Sequence, residues 1–208
     1  MQITNPTALK IQQALSPIEK AATQLNSAMY GAPAMATDAY TGTTPAPAPV
    51  QKVPLRQFFD DHMRPPHPLD FKIANRLSWV GITDSEKFLN AADTPFKRKM
   101  ISYLAGGVFL NKQDRQYVDY QIAAWAGQAD LMRVGGVDMT TARLMQTSGA
   151  GDVPTLARYA GGFGLDKGAF YAAMAANAVQ YGYWMPNFSS VSAAIDRAKT
   201  VPPQVRWY

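Results

Sequence analysis

The sequence predicts an all-α protein: a compact bundle of six to eight mostly short helices, preceded by an N-terminal helical segment and an extended proline-rich arm. Three observations predict it. Helix-start signatures recur along the chain, each followed by apolar residues at three- and four-residue spacing. No stretch sustains period-two alternation with β-branched residues, so little or no sheet is expected. Ten of the 15 prolines fall before residue 70, so the first third is organised differently from the rest.

Residues 1–30 read as a helical docking segment. Asn5-Pro6 is a cap followed by proline at the first helical position, where the missing N–H costs nothing. Ser16-Pro17-Ile18-Glu19 repeats the signal as a capping box. Ile11, Leu15, Ile18, Ala22, Leu25 and Met29 then alternate four and three residues apart, an apolar stripe on one helix face. Residues 31–54 read as a linker or arm, because alternating Pro45, Pro47 and Pro49 favour an extended polyproline-like path.

Residues 55–208 carry the bundle. Leu55 to Met63 predicts a short helix that the Arg64-Pro65-Pro66-His67-Pro68 run stops. Asp70 is the expected cap of a helix to about Val80, with Phe71, Ala74, Leu77 and Trp79 inward. Thr83-Asp84-Ser85-Glu86 reads as a capping box opening a helix to about Ala92. Thr94-Pro95 opens another, with Phe96, Met100, Tyr103 and Leu104 on one side.

A longer helix is expected from about Lys112 to Arg133, ended by Gly135-Gly136, with Tyr117, Ile122, Trp125 and Leu131 as its bulky inward residues. Thr140–Gln146 and Pro154–Ala160 predict two short helices around the Ser148–Asp152 loop, the second capped by Asp152. Asp166 caps a helix through Tyr183, and Ser189 or Ser190 begins the last, which ends near Lys199. Thr141–Met145 and Thr155–Tyr159 resemble each other, but two copies are too few for a solenoid.

Composition narrows the chemistry. The 208 residues are 47% apolar and 17% charged, contain no cysteine, and carry a formal charge of +5. The absence of cysteine excludes disulfides, cysteine-bearing zinc sites, iron–sulfur clusters and a thiol nucleophile. The histidines, His62 and His67, sit with Asp60 and Asp61 on a proline-rich turn whose spacing does not converge on a metal. No cofactor is expected either, since the glycine-rich stretches at 148–152 and 161–164 match neither a Walker loop nor a dinucleotide fingerprint.

Glu86 is the one plausible general acid for a peptidoglycan-degrading enzyme, with Asp84 or Asp93 as its partner. A carboxylate in a first helical turn is favoured in its charged form by the helix dipole, which argues against that role. The one dense basic cluster, Lys97, Arg98 and Lys99 with Lys112 and Arg115, is the candidate nucleic-acid contact of a packaging factor. The 28 residues from Gly168 to Ile195 have no formal charge. They are alanine-rich and include Asn177, Gln180, Pro186 and Asn187, so a buried helix is expected rather than a membrane span. MQITNPTALK has neither a basic nor an apolar signal region, which points to assembly in the cytoplasm.

The layout of docking helix, proline-rich arm, short-helix bundle and aromatic tail resembles that of minor structural proteins of bacteriophage particles, which join a compact domain to arms that tie neighbouring subunits together. The resemblance implies a non-enzymatic virion subunit, of the cement, minor capsid or head-to-tail connecting kind, homo-oligomeric within its assembly. The partner-binding residues expected from the chain itself are Ile11, Leu15, Ile18, Leu25, Met29, Pro45, Pro47, Pro49, Trp207 and Tyr208. The first five form the apolar stripe, the prolines hold the arm extended, and the two aromatics could anchor in a pocket.

Overall fold

The computed structural model describes residues 52–58, 67–106, 110–161 and 166–207. The N-terminal stripe, the arm up to residue 51, Asp60, Asp61, His62 and Tyr208 lie outside the described residues. A 3-10 turn at Leu55–Phe58 leads into eight α-helices: α1 (Pro68–Trp79), α2 (Ser85–Ala92), α3 (Pro95–Gly106), α4 (Lys112–Leu131), α5 (Met139–Thr147), α6 (Val153–Arg158), α7 (Lys167–Tyr181) and α8 (Phe188–Ala198). Among the described residues there is no strand, only an isolated bridge between Pro54 and Asp84.

Most helices begin where a short polar side chain can accept an otherwise unpaired backbone N–H. Asp84, Asn111, Asp138, Asp152, Asp166 and Asn187 each take the N–H three residues on. The two similar stretches, Thr141–Met145 and Thr155–Tyr159, share this cap. Each begins with the threonine whose N–H an aspartate cap accepts, at 2.7 Å from Asp138 and 2.8 Å from Asp152.

Three expected helix starts and one end shift. His67, not Asp70, caps α1: Leu69 N–H donates to His67 Nδ1 at 3.3 Å, and the His67 N–H donates to the Asp70 carboxylate at 3.1 Å. Pro68 at the first helical position makes this earlier start favourable. At α2, Asp84 is the cap, and Glu86 pairs with Lys52 at 2.6 Å instead of closing a capping box. Asn187 starts α8 ahead of Ser189 and Ser190. Helix α7 stops at Tyr181 because Gly182 adopts the left-handed conformation (φ 69°), and its N–H donates to the Ala178 carbonyl.

The 20-residue α4 is the central helix, packing against α1, α2, α3, α5 and α6. From Trp125 to Leu131 it is buried on every side. Such a run works only where neighbours approach closely. A Cβ added to Gly127 would lie 2.0 Å from the Gly151 carbonyl oxygen, so the α5–α6 loop rests directly on the α4 backbone. Around this axis Phe88 meets Trp125 edge-on at 6.3 Å, Tyr159 stacks on Phe170 at 4.2 Å, and Tyr171 meets Phe188 edge-on at 5.2 Å.

Two buried arginines tie distant segments into this core. The Arg143 guanidinium on α5 donates to the Phe58 carbonyl, holding the 3-10 turn. Arg98 on α3 donates to the carbonyls of Ala92, at 2.8 Å, and Arg206, at 2.5 Å. Among the described residues no helix is long and apolar enough to cross a membrane.

Candidate interaction surface

Helix α3 presents two unlike faces. Inward it buries Arg98, Ile101, Ser102, Ala105 and Gly106, mostly small side chains that let α1 and α4 come close. Outward it leaves Phe96 75%, Met100 49%, Tyr103 55% and Leu104 48% exposed. The apolar side legible in the sequence is therefore the side that faces away from the bundle. Covering a large apolar side chain is worth roughly 1.5–3 kcal/mol, so four on one helix face form an unsatisfied surface of a kind that marks interaction sites.

Helix α1 departs from expectation in a similar way. Ile73, Ala74 and Leu77 are its apolar inward residues, whereas Phe71 (56%) and Trp79 (85%) are exposed. Trp79 lies two positions from Leu77, about 200° around the helix and so on the opposite face, whereas Phe71 lies at the flank of the inward side, about 60° from Ala74. The Arg56 guanidinium covers part of the Phe71 ring at 5.3 Å.

The predicted basic cluster divides. Lys97 pairs with Asp93 at 2.8 Å, Lys99 pairs with Asp119 at 2.6 Å, and Arg98 turns into the core, where burial holds its pKa below the usual guanidinium range. Lys112 and Arg115 lie exposed in the first turns of α4. A groove of about 180 Å³ between α3 and α4 brings Lys99, Tyr103, Leu110, Arg115 and Asp119 together. Two of the five predicted cations thus converge, and one of the five is structural.

Trp207, expected among the partner-binding residues, instead packs on its own bundle. Its indole N–H donates to the Asp152 carboxylate, and the Arg98 guanidinium lies 4.6 Å over its ring. The segment leading to it is fixed as well. Arg133 donates to the Pro202 carbonyl at 3.0 Å, Gln204 to Asn90 at 2.7 Å, and the Arg206 N–H to the Asp93 carbonyl at 2.7 Å. Val205 is buried. Nothing local in Pro202–Trp207 announces this strap, because its partners come from α2, α3, α6 and the end of α4.

The remaining candidates resolve into structural roles. Glu86 is half exposed in its pair with Lys52, and Asp93 stands at the other end of α2, about 10 Å further along the axis at 1.5 Å per residue. His67 caps α1 and lies against Tyr117 with ring centroids 4.0 Å apart. Among the described residues, no group of three or more histidine or carboxylate side chains is placed to hold a metal.

Asp130 is completely buried, and desolvation pushes its carboxyl above the usual aspartate range. Arg133 and the Val153 N–H hold the two oxygens, at 2.7 and 3.2 Å. The group staples the end of α4 to the start of α6.

A family described as a domain of unknown function (DUF4332) matches residues 70–161, from the first turn of α1 to just beyond α6 and less than half of the chain. No curated protein and no solved structure matches. The matched stretch contains the α3 face and all of central helix α4. It leaves out α7, α8 and the C-terminal strap.

Proposed function

We propose that the protein is a structural subunit of a large assembly, tied to its neighbours through its N-terminal arm. The observation that carries this reading is the outward face of α3, where four large apolar side chains, Phe96, Met100, Tyr103 and Leu104, are exposed side by side. The sequence ahead of the bundle supports it: apolar residues at helical spacing, followed by a stretch whose prolines favour an extended path, are a composition suited to bridging. The more specific setting, a bacteriophage virion, rests on the likeness in layout, and the subunit would act passively there, without a cofactor.

Arm exchange makes a subunit's stability depend on assembly. The Tm of the full chain should therefore rise over an approximately 100-fold increase in protein concentration. A chain beginning at residue 51, which keeps the buried Val53 and Leu55, should show no such rise. A concentration-independent Tm for both proteins would reject the reading.

A second reading, non-specific nucleic-acid contact, is favoured by one observation: Lys99 and Arg115 converge with Tyr103 on the α3–α4 groove. Cations interleaved with an exposed ring suit a single strand, through phosphate neutralisation and base stacking. It predicts salt-sensitive binding of a single-stranded oligonucleotide that weakens in Arg115→Glu. Absence of binding at low salt would exclude it.

A further inference from the structure

We propose that the groove beneath the C-terminal strap is a peptide-binding site, filled in cis by residues 202–207 and open to a partner protein's extended segment that carries a valine-sized side chain and, two residues on, a tryptophan. The inference is independent of the assembly reading, since it uses neither the N-terminal arm nor the outward face of α3.

The way the strap is held is the first argument. From Pro202 to Trp207 the chain forms no helix or turn of its own. Its bonds run to the bundle instead. Residue 206 is clamped through its backbone alone, its N–H donating to the Asp93 carbonyl at 2.7 Å and its carbonyl accepting from Arg98 at 2.5 Å. Side chains on either side of it are read in alternation. Val205 is buried, Arg206 is exposed, and Trp207 lies under the Arg98 guanidinium with its N–H on Asp152. Backbone bonds that any residue can make, combined with pockets for every second side chain, are how proteins recognise extended peptides.

The groove is also built without the strap. Each of its charged groups has a second partner inside the bundle that keeps it in place. Arg98 donates to the Ala92 carbonyl at 2.8 Å, Arg133 to Asp130 at 2.7 Å, and Asp152 accepts the Thr155 N–H at 2.8 Å. What the strap uses is the remaining capacity of those same groups: the other nitrogen of the Arg98 fork, the other oxygen of Asp152, and a second bond from Arg133 to the Pro202 carbonyl. A site whose donors and acceptors are already positioned loses little entropy when it binds.

The occupant, by contrast, is lightly attached. Val205 is the one buried residue between Pro202 and Trp207. Pro202 and Pro203 are exposed and have no N–H to give up. The segment can therefore lift away while all eight helices stay folded, a local opening that costs less than global unfolding. Asp152 sets the specificity, because an ionised carboxylate needs a donor and a phenylalanine ring has none.

The test uses a fluorescein-labelled peptide of the sequence Val201–Trp207 and the full chain with its own strap disabled by Val205→Asp and Trp207→Ala. The disabled chain should keep its helical circular dichroism and bind the peptide at least about tenfold more tightly than the unaltered chain, whose tethered strap competes at millimolar effective concentration. Replacing the peptide's tryptophan by alanine should weaken binding at least about tenfold. Should the disabled chain lose its helices, the isotope-labelled unaltered chain gives the same answer by NMR. About 5 mM unlabelled peptide, comparable to that effective concentration, should shift the Arg206 amide and Trp207 indole resonances towards those of a free segment. Failure of the folded, disabled chain to bind, equal binding by both chains, indifference to the peptide's tryptophan, or unmoved Arg206 and Trp207 resonances would each overturn the proposal.

Discussion

The indole N–H of Trp207 donates to the carboxylate of Asp152, a residue 55 positions earlier that also caps α6 through the Thr155 N–H. One buried carboxylate thereby starts a helix and fastens the end of the described chain, with Arg98 packed on the other side of the clasp.

Trp207→Ala should destabilise the bundle by about 2 kcal/mol, since it removes a hydrogen bond to a charged acceptor together with the cation–π contact. Trp207→Phe keeps a ring beneath Arg98 and should lose roughly half as much. Urea unfolding of the three proteins checks this. Equal loss in both variants would show that the indole donor is the contribution that matters and the ring contact contributes nothing.

Arg98→Lys should cost about 2 kcal/mol, because an ammonium cannot reproduce the fork that meets the Ala92 and Arg206 carbonyls. Its sequence neighbour Lys97→Ala should stay within about 0.5 kcal/mol, as expected for one surface ion pair. The contrast tests whether the basic run is divided between core and solvent. Equal effects would contradict the division.

Gly127→Ala should destabilise by about 3 kcal/mol, the upper range for overpacking, since the new methyl would meet the Gly151 carbonyl oxygen at 2.0 Å. Gly151→Ala, with nothing within 4 Å of its added Cβ, should be tolerated. Thermal unfolding of the pair checks the close approach of α4 and the α5–α6 loop.

Asp84 gives a pH dependence. The Lys87 backbone N–H, with the Thr83 hydroxyl assisting, holds its carboxyl below the ordinary aspartate value of 3.8. A depressed folded-state pKa contributes stability that is present above the ordinary value and is lost as pH falls through the depressed one. Asp84→Asn keeps an acceptor for the cap and removes the titration. The wild type's advantage over Asp84→Asn should shrink steadily below about pH 4, measured by urea unfolding. An advantage that does not change with pH would contradict the assignment.

What could be read from the residues follows physical range. Caps act over three residues, so Asp152 and Asp166 were legible as helix starts, and the glycine-punctuated order of the bundle followed from them. His67 was missed because a proline-rich run reads as a helix stop, although Pro68 is well placed as a first helical residue. The orientation of α3 was not legible: its apolar spacing is that of a core face, and only the small residues between, Ser102, Ala105 and Gly106, hinted that neighbours press on the other side. The inward turn of Arg98 depends on carbonyls supplied by the end of α2 and by the C-terminal strap, which no local pattern encodes. The spacing grouped Phe96, Met100, Tyr103 and Leu104 on one side of α3 without marking them as a partner surface, and tertiary packing decided that this side faces outward.

The most direct measurement is the mass of the full chain by sedimentation equilibrium over a range of concentrations, beside a chain beginning at residue 51 and the full-length Met100→Glu variant. An arm-tied subunit predicts association of the full chain, a monomer for the shortened one, and sharply weakened association for the α3 variant. A full chain that remains monomeric throughout, or a shortened chain that associates as well as the full one, would contradict the account.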